Sequence, residues 1–490
     1  MAAEAFDLVV IGAGTTGLGA ALSAARGGRR VALLDSQPPG GDCTFYGCVP
    51  SKALLETARR VHAARSGPAY GFTTDVAVDM AAVTARVKAV IGDVQRDESP
   101  ALLERFGVTY RQQRARFTDA RTVETADGGQ LRATAVVLAS GASALVPPVP
   151  GLESTPYLTN RTIFDLTELP AHLLVLGGGP IACELAQAFR RLGSAVTIVE
   201  AGPRLLGRDE PEASRVLREV LEREGVDVRT DATAVRAWLG GGGPGLELEG
   251  GGRVEGSHLL VAVGRRADTA DLGLAAAGVD VDADSGRVVV SAALRTTNPA
   301  VWAAGDCASP LQFTHVGDEQ GRLAAANAFA RRPKDFDDRV VPWVTFTDPE
   351  VGHVGLTEAQ AFDAYGEDAL VGYMPFSSSD RARAAGETEG FVKVIGVPRG
   401  RGPLGSRFLY RIGGFTAVCP VGGELVAEAA VVMKAKVLAG RVAQTIHAYP
   451  TWGLTSRLAV SQLFGTYGGR TARPARPTPP TQATPPGGAT

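Results

Sequence analysis

Two cysteines five residues apart, Cys43 and Cys48, lie in the run Gly40-Gly-Asp-Cys43-Thr-Phe-Tyr-Gly-Cys48-Val-Pro50-Ser-Lys52. On a regular helix this spacing is a rise of about 7.5 Å, beyond comfortable disulfide reach, so the segment must wind irregularly for the sulfurs to meet. Gly47 eases that winding. Pro50 suits the opening turn of a helix, where the N–H it lacks would have no helical partner. Cys48 is then expected near a helix N-terminus, where the dipole lowers a thiol pKa and favours the thiolate. Such a pair suits thiol–disulfide chemistry. A zinc site is disfavoured, because no second Cys-x-x-Cys and no His pair lies nearby. Cys183, Cys307 and Cys419 read as small buried hydrophobes.

The elements that would position this pair come in two matching segments. Phe6-Asp-Leu-Val-Val-Ile-Gly12-Ala-Gly14-Thr-Thr-Gly17 is an apolar run that breaks into glycines and then an alanine-rich helical pattern. His172-Leu-Leu-Val-Leu-Gly177-Gly-Gly179-Pro-Ile-Ala182 repeats it. Each leads into a second apolar run ending in an acid, Asp35 or Glu200, 23 residues after the first glycine in both. Strand, glycine turn, helix, strand, acid is the mononucleotide-binding unit, carried here twice. Ala182 takes the third glycine position, where close helix–strand packing is the requirement. Glu200 favours NADH over NADPH, since a carboxylate accepts from a free 2′-hydroxyl and repels a 2′-phosphate. Arg204 and Arg208 lie close enough in sequence to soften that preference.

The 490 residues exceed one compact core. A formal net charge of -2 gives no electrostatic footprint for nucleic acid or an acidic membrane surface. No stretch approaches ~20 apolar residues, so no span is expected, and Met1–Ala5 lacks the features of a secretory signal. Five cysteines are too few, and odd in number, for a disulfide scaffold. A cytoplasmic location is expected. Gly240-Gly-Gly-Gly-Pro and Gly250-Gly-Gly read as loop tips. From Val340 to about Phe464 the pattern becomes mixed strands and helices, a separate domain, and the Pro-rich tail over 467–490 is expected to be disordered.

The two glycine motifs and the cysteine run resemble those of the flavoprotein disulfide reductases, the family of dihydrolipoyl dehydrogenase, glutathione reductase and mercuric reductase. So do Ala139-Ser-Gly141, Val263-Gly-Arg-Arg266, Ala304-Gly-Asp306, Phe346-Thr-Asp-Pro-Glu350 and Val354-Gly-Leu-Thr-Glu358. The resemblance implies an α/β fold with two Rossmann-like dinucleotide-binding domains and a C-terminal α+β dimerisation domain. The implied boundaries are 1–150 and 273–340 for the two parts of the FAD-binding domain, 151–272 for NAD(P) and 341–466 for dimerisation. It also implies a homodimer. FAD would lie on Gly12, Gly14 and Gly17, with Asp35 on the adenosine ribose and Asp306 on the ribityl chain. NADH would lie on Gly177, Gly179 and Ala182, with Glu200 on its ribose. Gly41, Ser140, Gly141, Gly264 and Arg265 fall in the remaining cofactor-binding stretches. Lys52 would sit by the flavin and pair with Glu184, unless Glu184 is on a solvated helix face. Cys48 would be the thiol against the flavin and Cys43 the exchange thiol.

The acceptor is where the pattern departs. Dihydrolipoyl dehydrogenase and glutathione reductase carry a His before Pro-Thr as base to the thiols, with a Glu soon after to orient it. Here the stretch is Ile446-His447-Ala-Tyr449-Pro450-Thr451-Trp452-Gly453-Leu454. Tyr449 replaces the His and Leu454 the Glu. A neutral phenol with a reference pKa of ~10 is a poor base, while His447 could substitute if the loop were re-aimed. Loss of the pair resembles mercuric reductases, whose acceptor needs thiolate ligation. Yet the last cysteine is Cys419, so their C-terminal vicinal pair is missing, and no metal-binding module is read ahead of the first glycine motif. The expected acceptor is a disulfide or a soft metal ion. The alternatives are dihydrolipoyl dehydrogenase and a low-turnover flavin- and NADH-binding redox sensor.

Overall fold

A computed structural model describes residues 3–400 and 409–477. They fall into two compact units, one within residues 1–203 and 221–337 and the other within 204–220 and 338–490.

The first unit is built on a parallel sheet. Strands β1 (Glu4–Ile11), β2 (Val31–Asp35), β3 (Val108–Gln112) and β4 (Gln130–Leu138) lie in the order β3-β2-β1-β4. The side chains alternate between two apolar layers, as a period of two requires. Leu8, Val10, Leu33 and Val137 pack with Leu18, Ala20 and Ala21 of helix α1 (Thr15–Arg26) on one face. Val9, Ile11, Leu34 and Val136 join Phe117, Leu274 and Val301 on the other. Helices α2 (Gly41–Phe45) and α3 (Cys48–Arg65) follow β2. Strand β5 (His172–Leu176), helix α4 (Pro180–Leu192), and strands β6 (Ala195–Val199), β7 (Val226–Arg229) and β8 (His258–Val261) repeat the arrangement as a second parallel sheet, β7-β6-β5-β8. Gly240–Gly243 and Leu248–Arg253 are turns of a small antiparallel sheet, as expected. The chain then returns to the first sheet with β9 (Val301–Ala303), parallel to β4, and helix α5 (Thr314–Phe329). Helix α5 crosses α1 so closely that a Cβ on Gly321 would stand 2.1 Å from the carbonyl oxygen of Thr16. That contact fixes the N-terminal end of α5, which enters the site below.

The second unit is an antiparallel sheet of β10 (Pro342–Thr345), β11 (Glu350–Gly355), β12 (Leu370–Pro375), β13 (Phe391–Pro398), β14 (Tyr410–Cys419) and β15 (Arg473–Pro474), in the order β10-β11-β14-β13-β12-β15. Helices α6 (Gly422–Lys434) and α7 (Gly453–Ser461) cover it through Leu425, Val426, Ala459 and Val460. Two expectations change here. Residues 204–220, read as part of the second nucleotide domain, pack with this unit. They are held by Lys393, 2% exposed, whose Nζ lies 2.9 Å from Glu210, 2.9 Å from Glu212 and 2.7 Å from Glu358. The start of the tail is also ordered. Arg473 forms an ion pair with Glu358, Ala475 donates its N–H to the carbonyl of Ala369, and its side chain is buried. Backbone pairing and one charged bond replace the missing apolar area that composition asks for. Residues 478–490 of the tail lie outside the described residues.

Removing Lys393 leaves the buried Glu210 carboxylate without a cation, and breaking a buried pair this way costs roughly 3–5 kcal/mol. Lys393→Met is expected to lose that much in urea denaturation. A loss under about 1 kcal/mol, the worth of a surface pair, would contradict the burial-driven account.

Candidate active site

Both glycine motifs fold into the turns that their spacing demands. Gly12 has φ +105 and Gly177 φ +114, and a Cβ would stand 2.2 Å from the carbonyl oxygen of Ala139 in the first and 2.5 Å from that of Ala262 in the second. Only glycine fits both the backbone angle and the contact. Gly14 and Gly179 are the N-caps of α1 and α4, and neither helix start carries a side-chain cap. The orphan N–H groups there are suited to an anion, and a Cβ on Gly179 would meet nothing within 4 Å. Gly17 lets α1 begin against the turn, since a Cβ would lie 1.8 Å from the oxygen of Gly12. Ala182 is fully buried in the corresponding place. Asp35 closes its turn by accepting from the N–H groups of Ala13 at 2.6 Å and Gln37 at 2.9 Å. Glu200 accepts from the N–H of Gly202 at 2.6 Å. Gly178, which the spacing rule passed over, leaves room for it, as a Cβ there would sit 2.8 Å from Glu200 Cγ.

The cysteines span two helices. Cys43 is inside α2, and Cys48 is the first residue of α3, so the break at Gly47 supplies the irregular winding. Both are free thiols, and each acts on the ionisation of the other. The hydrogen bond from Cys43 lowers Cys48 to about 6, assisted by the hydroxyl of Thr314 and the charge of Lys52, with burial opposing. The same bond, with burial, pushes Cys43 upward. Of the two, Cys48 is therefore the thiol favoured to ionise. Thr314 Oγ1 lies 3.3 Å from Cys48 Sγ. Thr314 was not foreseen, since by type and position it is only a small hydroxyl residue at the start of a helical stretch. Lys52 Nζ meets Glu184 Oε2 at 2.9 Å, and Glu184 is 5% exposed, so it is no solvated helix face.

Around this centre Gly141 (φ +75), Gly264 (φ +142) and Gly305 (φ +71) turn the strand ends. Ser140 Oγ and Arg265 Nε are buried without a hydrogen bond, and Asp306 is raised by burial. Gly41, at φ +65, packs against Gly14, where a Cβ would be 2.6 Å from the Gly14 Cα. Tyr449 and His447 belong to the C-terminal unit. Tyr449 is 71% exposed and donates its O–H to Asp380 Oδ2 at 3.0 Å, a bond that raises its pKa. His447 has Nδ1 3.1 Å from the carbonyl of Thr445 and Nε2 3.2 Å from Glu428 Oε1. Glu428, on α6, was not foreseen, because nothing in sequence ties it to a residue 19 positions later.

The profile of the family described as Pyridine nucleotide-disulphide oxidoreductase matches residues 6–323, and that of its dimerisation domain residues 341–457. The chain belongs to this family. It is 35% identical over 467 residues to a mercuric reductase of Streptomyces lividans, covering 93% of this chain and 95% of the relative. It is 35% identical over 464 residues to a dihydrolipoyl dehydrogenase of Thermus scotoductus, covering 91% and 95%. Its fold matches the Cu(II) complex of the HOCl-induced flavoprotein disulfide reductase RclA of Escherichia coli with a TM-score of 0.82, at 27% identity, covering 94% of this chain and 99% of that one. The chain is therefore an FAD-dependent oxidoreductase with NAD(P)H as electron donor. Its own residues fit FAD: an uncapped helix start at Gly14 and the buried hydroxyl of Ser140, which has no hydrogen-bond partner. Among the described residues no helix is long and apolar enough to cross a membrane.

Thiolate absorbance of the reduced protein is expected to appear as pH rises through about 6 and to stop at one equivalent, with Cys43 still protonated. Thr314→Val is expected to move that midpoint upward, since it removes a bond to the charged form. A midpoint near the free-cysteine value of ~8.5 in the unaltered protein would contradict the lowering of Cys48 by its neighbours.

Proposed function

We propose that this protein is an NADH-dependent reductase that passes electrons through the Cys43–Cys48 pair to a soft metal ion, in the manner of a mercuric reductase. FAD, when bound, supplies the two-electron chemistry between NADH and the cysteine pair. Gly12, Gly14, Gly17, Asp35, Gly41, Ser140, Gly141, Gly264, Arg265 and Asp306 would hold it. Gly177, Gly179, Ala182 and Glu200 would hold NADH. Lys52, anchored by Glu184, and Thr314 keep Cys48 as the thiolate, and Cys43 is the thiol that meets the acceptor. The overall balance is NADH and Hg(II) giving NAD⁺, Hg(0) and one proton, or NADH and two Cu(II) giving NAD⁺, two Cu(I) and one proton. The protein would act as a homodimer, through the domain whose profile matches 341–457.

The observation that carries the metal acceptor is the missing proton relay. Disulfide exchange needs a base that takes and returns a thiol proton. Tyr449 spends its O–H on Asp380, and the adjacent carboxylate makes its proton harder to remove. Both ring nitrogens of His447 face oxygen acceptors, Thr445 O and Glu428 Oε1. In the neutral ring one nitrogen donates and the other's lone pair points at an acceptor instead of a thiol. A soft cation needs only thiolate ligands. The His447–Glu428 pair is also the feature that favours the second reading, dihydrolipoyl dehydrogenase, because it rebuilds a histidine–carboxylate couple from a different helix.

The NADH preference rests on Glu200 and on the fate of Arg204. The Arg204 guanidinium donates to the carbonyls of Leu206 at 3.1 Å, Gly207 at 2.7 Å and Asp209 at 2.8 Å, and to Ser214 Oγ at 2.7 Å. A group so occupied by its own loop has little left for a 2′-phosphate.

NADH oxidation by the holoenzyme is expected to be driven by Hg(II) or Cu(II) and to fall by about 10²-fold or more in Cys43→Ser, as loss of a nucleophile does. Dihydrolipoamide is expected to reduce NAD⁺ slowly, and His447→Gln to leave metal-driven turnover unchanged. Brisk dihydrolipoamide turnover that collapses in His447→Gln would replace this reading with the second.

A further inference from the structure

Cys43 rides on a five-residue helix, α2. A helix of that length does not hold its own geometry in water, so the position of Cys43 is set by what its neighbours grip. Thr44 donates to Glu98 Oε2 at 2.8 Å. Asp42, directly before Cys43, accepts from Arg265 Nη1 at 2.9 Å and from Asn160 Nδ2 at 3.2 Å. The same Asn160 amide reaches the carbonyl of Tyr46 at 3.3 Å, at the other end of α2. Arg265 does not stop at Asp42. Its Nη2 donates to the carbonyl of Ala142, and its Nε lies 3.5 Å from Asp306 Oδ2. One guanidinium, 15% exposed, thus joins the helix of Cys43, the strand that follows Ser140-Gly141, and the acid at 306.

We propose that Arg265 is a positioning residue for the redox pair, holding α2 in register through Asp42 and tying that register to Asp306. The inference rests on the cysteine relay proposed above and concerns how its geometry is kept. Burial raises Asp306, the charge of Arg265 opposes that rise, and the carboxylates of Asp42 and Asp268 add to it. Without this guanidinium, α2 keeps, of the side-chain contacts above, only those of Asn160 and the Thr44–Glu98 bond, and its register relaxes. Cys43 then moves relative to Cys48, and Cys48 loses the neighbour that most favours its thiolate. Three partners in three directions suit the planar fork of an arginine, whereas a lysine ammonium would serve the charge and lose the register.

The test is the pH dependence of iodoacetamide alkylation at Cys43 and Cys48, read by peptide mass spectrometry on holoenzyme reduced with dithiothreitol. Chemical reduction makes this readout independent of NADH, so it stands or falls separately from the relay. In Arg265→Met the Cys48 midpoint is expected to rise by about one pH unit, the shift that loss of a hydrogen bond to a thiolate produces. Arg265→Lys is expected to recover part of it. Asp42→Asn is nearly isosteric and tolerable to folding, so it serves if Arg265→Met fails to fold, and its midpoint is expected to rise in the same direction. Combined with Arg265→Met it is expected to add nothing, because both remove one interaction. An unchanged midpoint in Asp42→Asn or in FAD-retaining Arg265→Met, or strictly additive shifts in the double variant, would overturn the proposal.

Discussion

The site depends on one backbone crossing. The segment leading to the cysteines is pinned to the first glycine turn: the N–H of Gly40 donates to the carbonyl of Ala13 at 2.9 Å, and Gly14 and Gly40 pair as an isolated bridge. Gly41 packs so tightly on Gly14 that a Cβ at Gly41 would stand 2.6 Å from the Gly14 Cα and push the two segments apart. The turn that offers N–H groups to a pyrophosphate is therefore the same structure that aims α2 and α3. Nucleotide binding and thiol placement are not two features joined by a linker. They share a backbone contact, and a disturbance of one reaches the other through less than a residue's width.

Around that crossing the thiolate is made stable by groups from distant parts of the chain. Cys48 opens α3 and gains from the helix N-terminus. Lys52 is one turn along the same helix and is steadied by Glu184 from α4. Thr314 arrives from α5, whose approach to α1 is set by Gly321. Each contribution is modest, and burial opposes all of them. What sharpens the result is that the second thiol is the nearest donor. Cys43 holds its own proton while Cys48 ionises first, so the two sulfurs differ in charge near neutral pH.

Much of this was legible in the sequence because it obeys local rules. Glycines at fixed offsets, the paired acids at 35 and 200, and the break at Gly47 each dictate backbone geometry within a few residues. The Lys52–Glu184 pair came from resemblance, since no local rule links residues 132 positions apart. Thr314, Gly178, Asn160 and Glu428 were missed because their meaning exists only once remote elements pack. The ordering of residues 467–477 was missed for a different reason. Composition measures the apolar area a segment can bury, and this one is held by strand pairing to β12 and by the Arg473–Glu358 pair. Likewise, residues 204–220 are tied to the C-terminal unit by Lys393, by the Trp343 indole on Asp209 and by the Glu358 N–H on Glu210, contacts that hydropathy does not read.

The central claim is that the pair at 43 and 48 accepts and delivers the electrons, rather than standing beside a flavin that acts alone. The direct measurement is the thiol titre of air-oxidised holoenzyme before and after anaerobic addition of NADH, with mass spectrometry assigning each alkylated cysteine. The account predicts that NADH makes Cys43 and Cys48 titratable together and leaves the buried Cys183, Cys307 and Cys419 unchanged. Bleaching of the flavin absorbance with no new thiol at either position would contradict it.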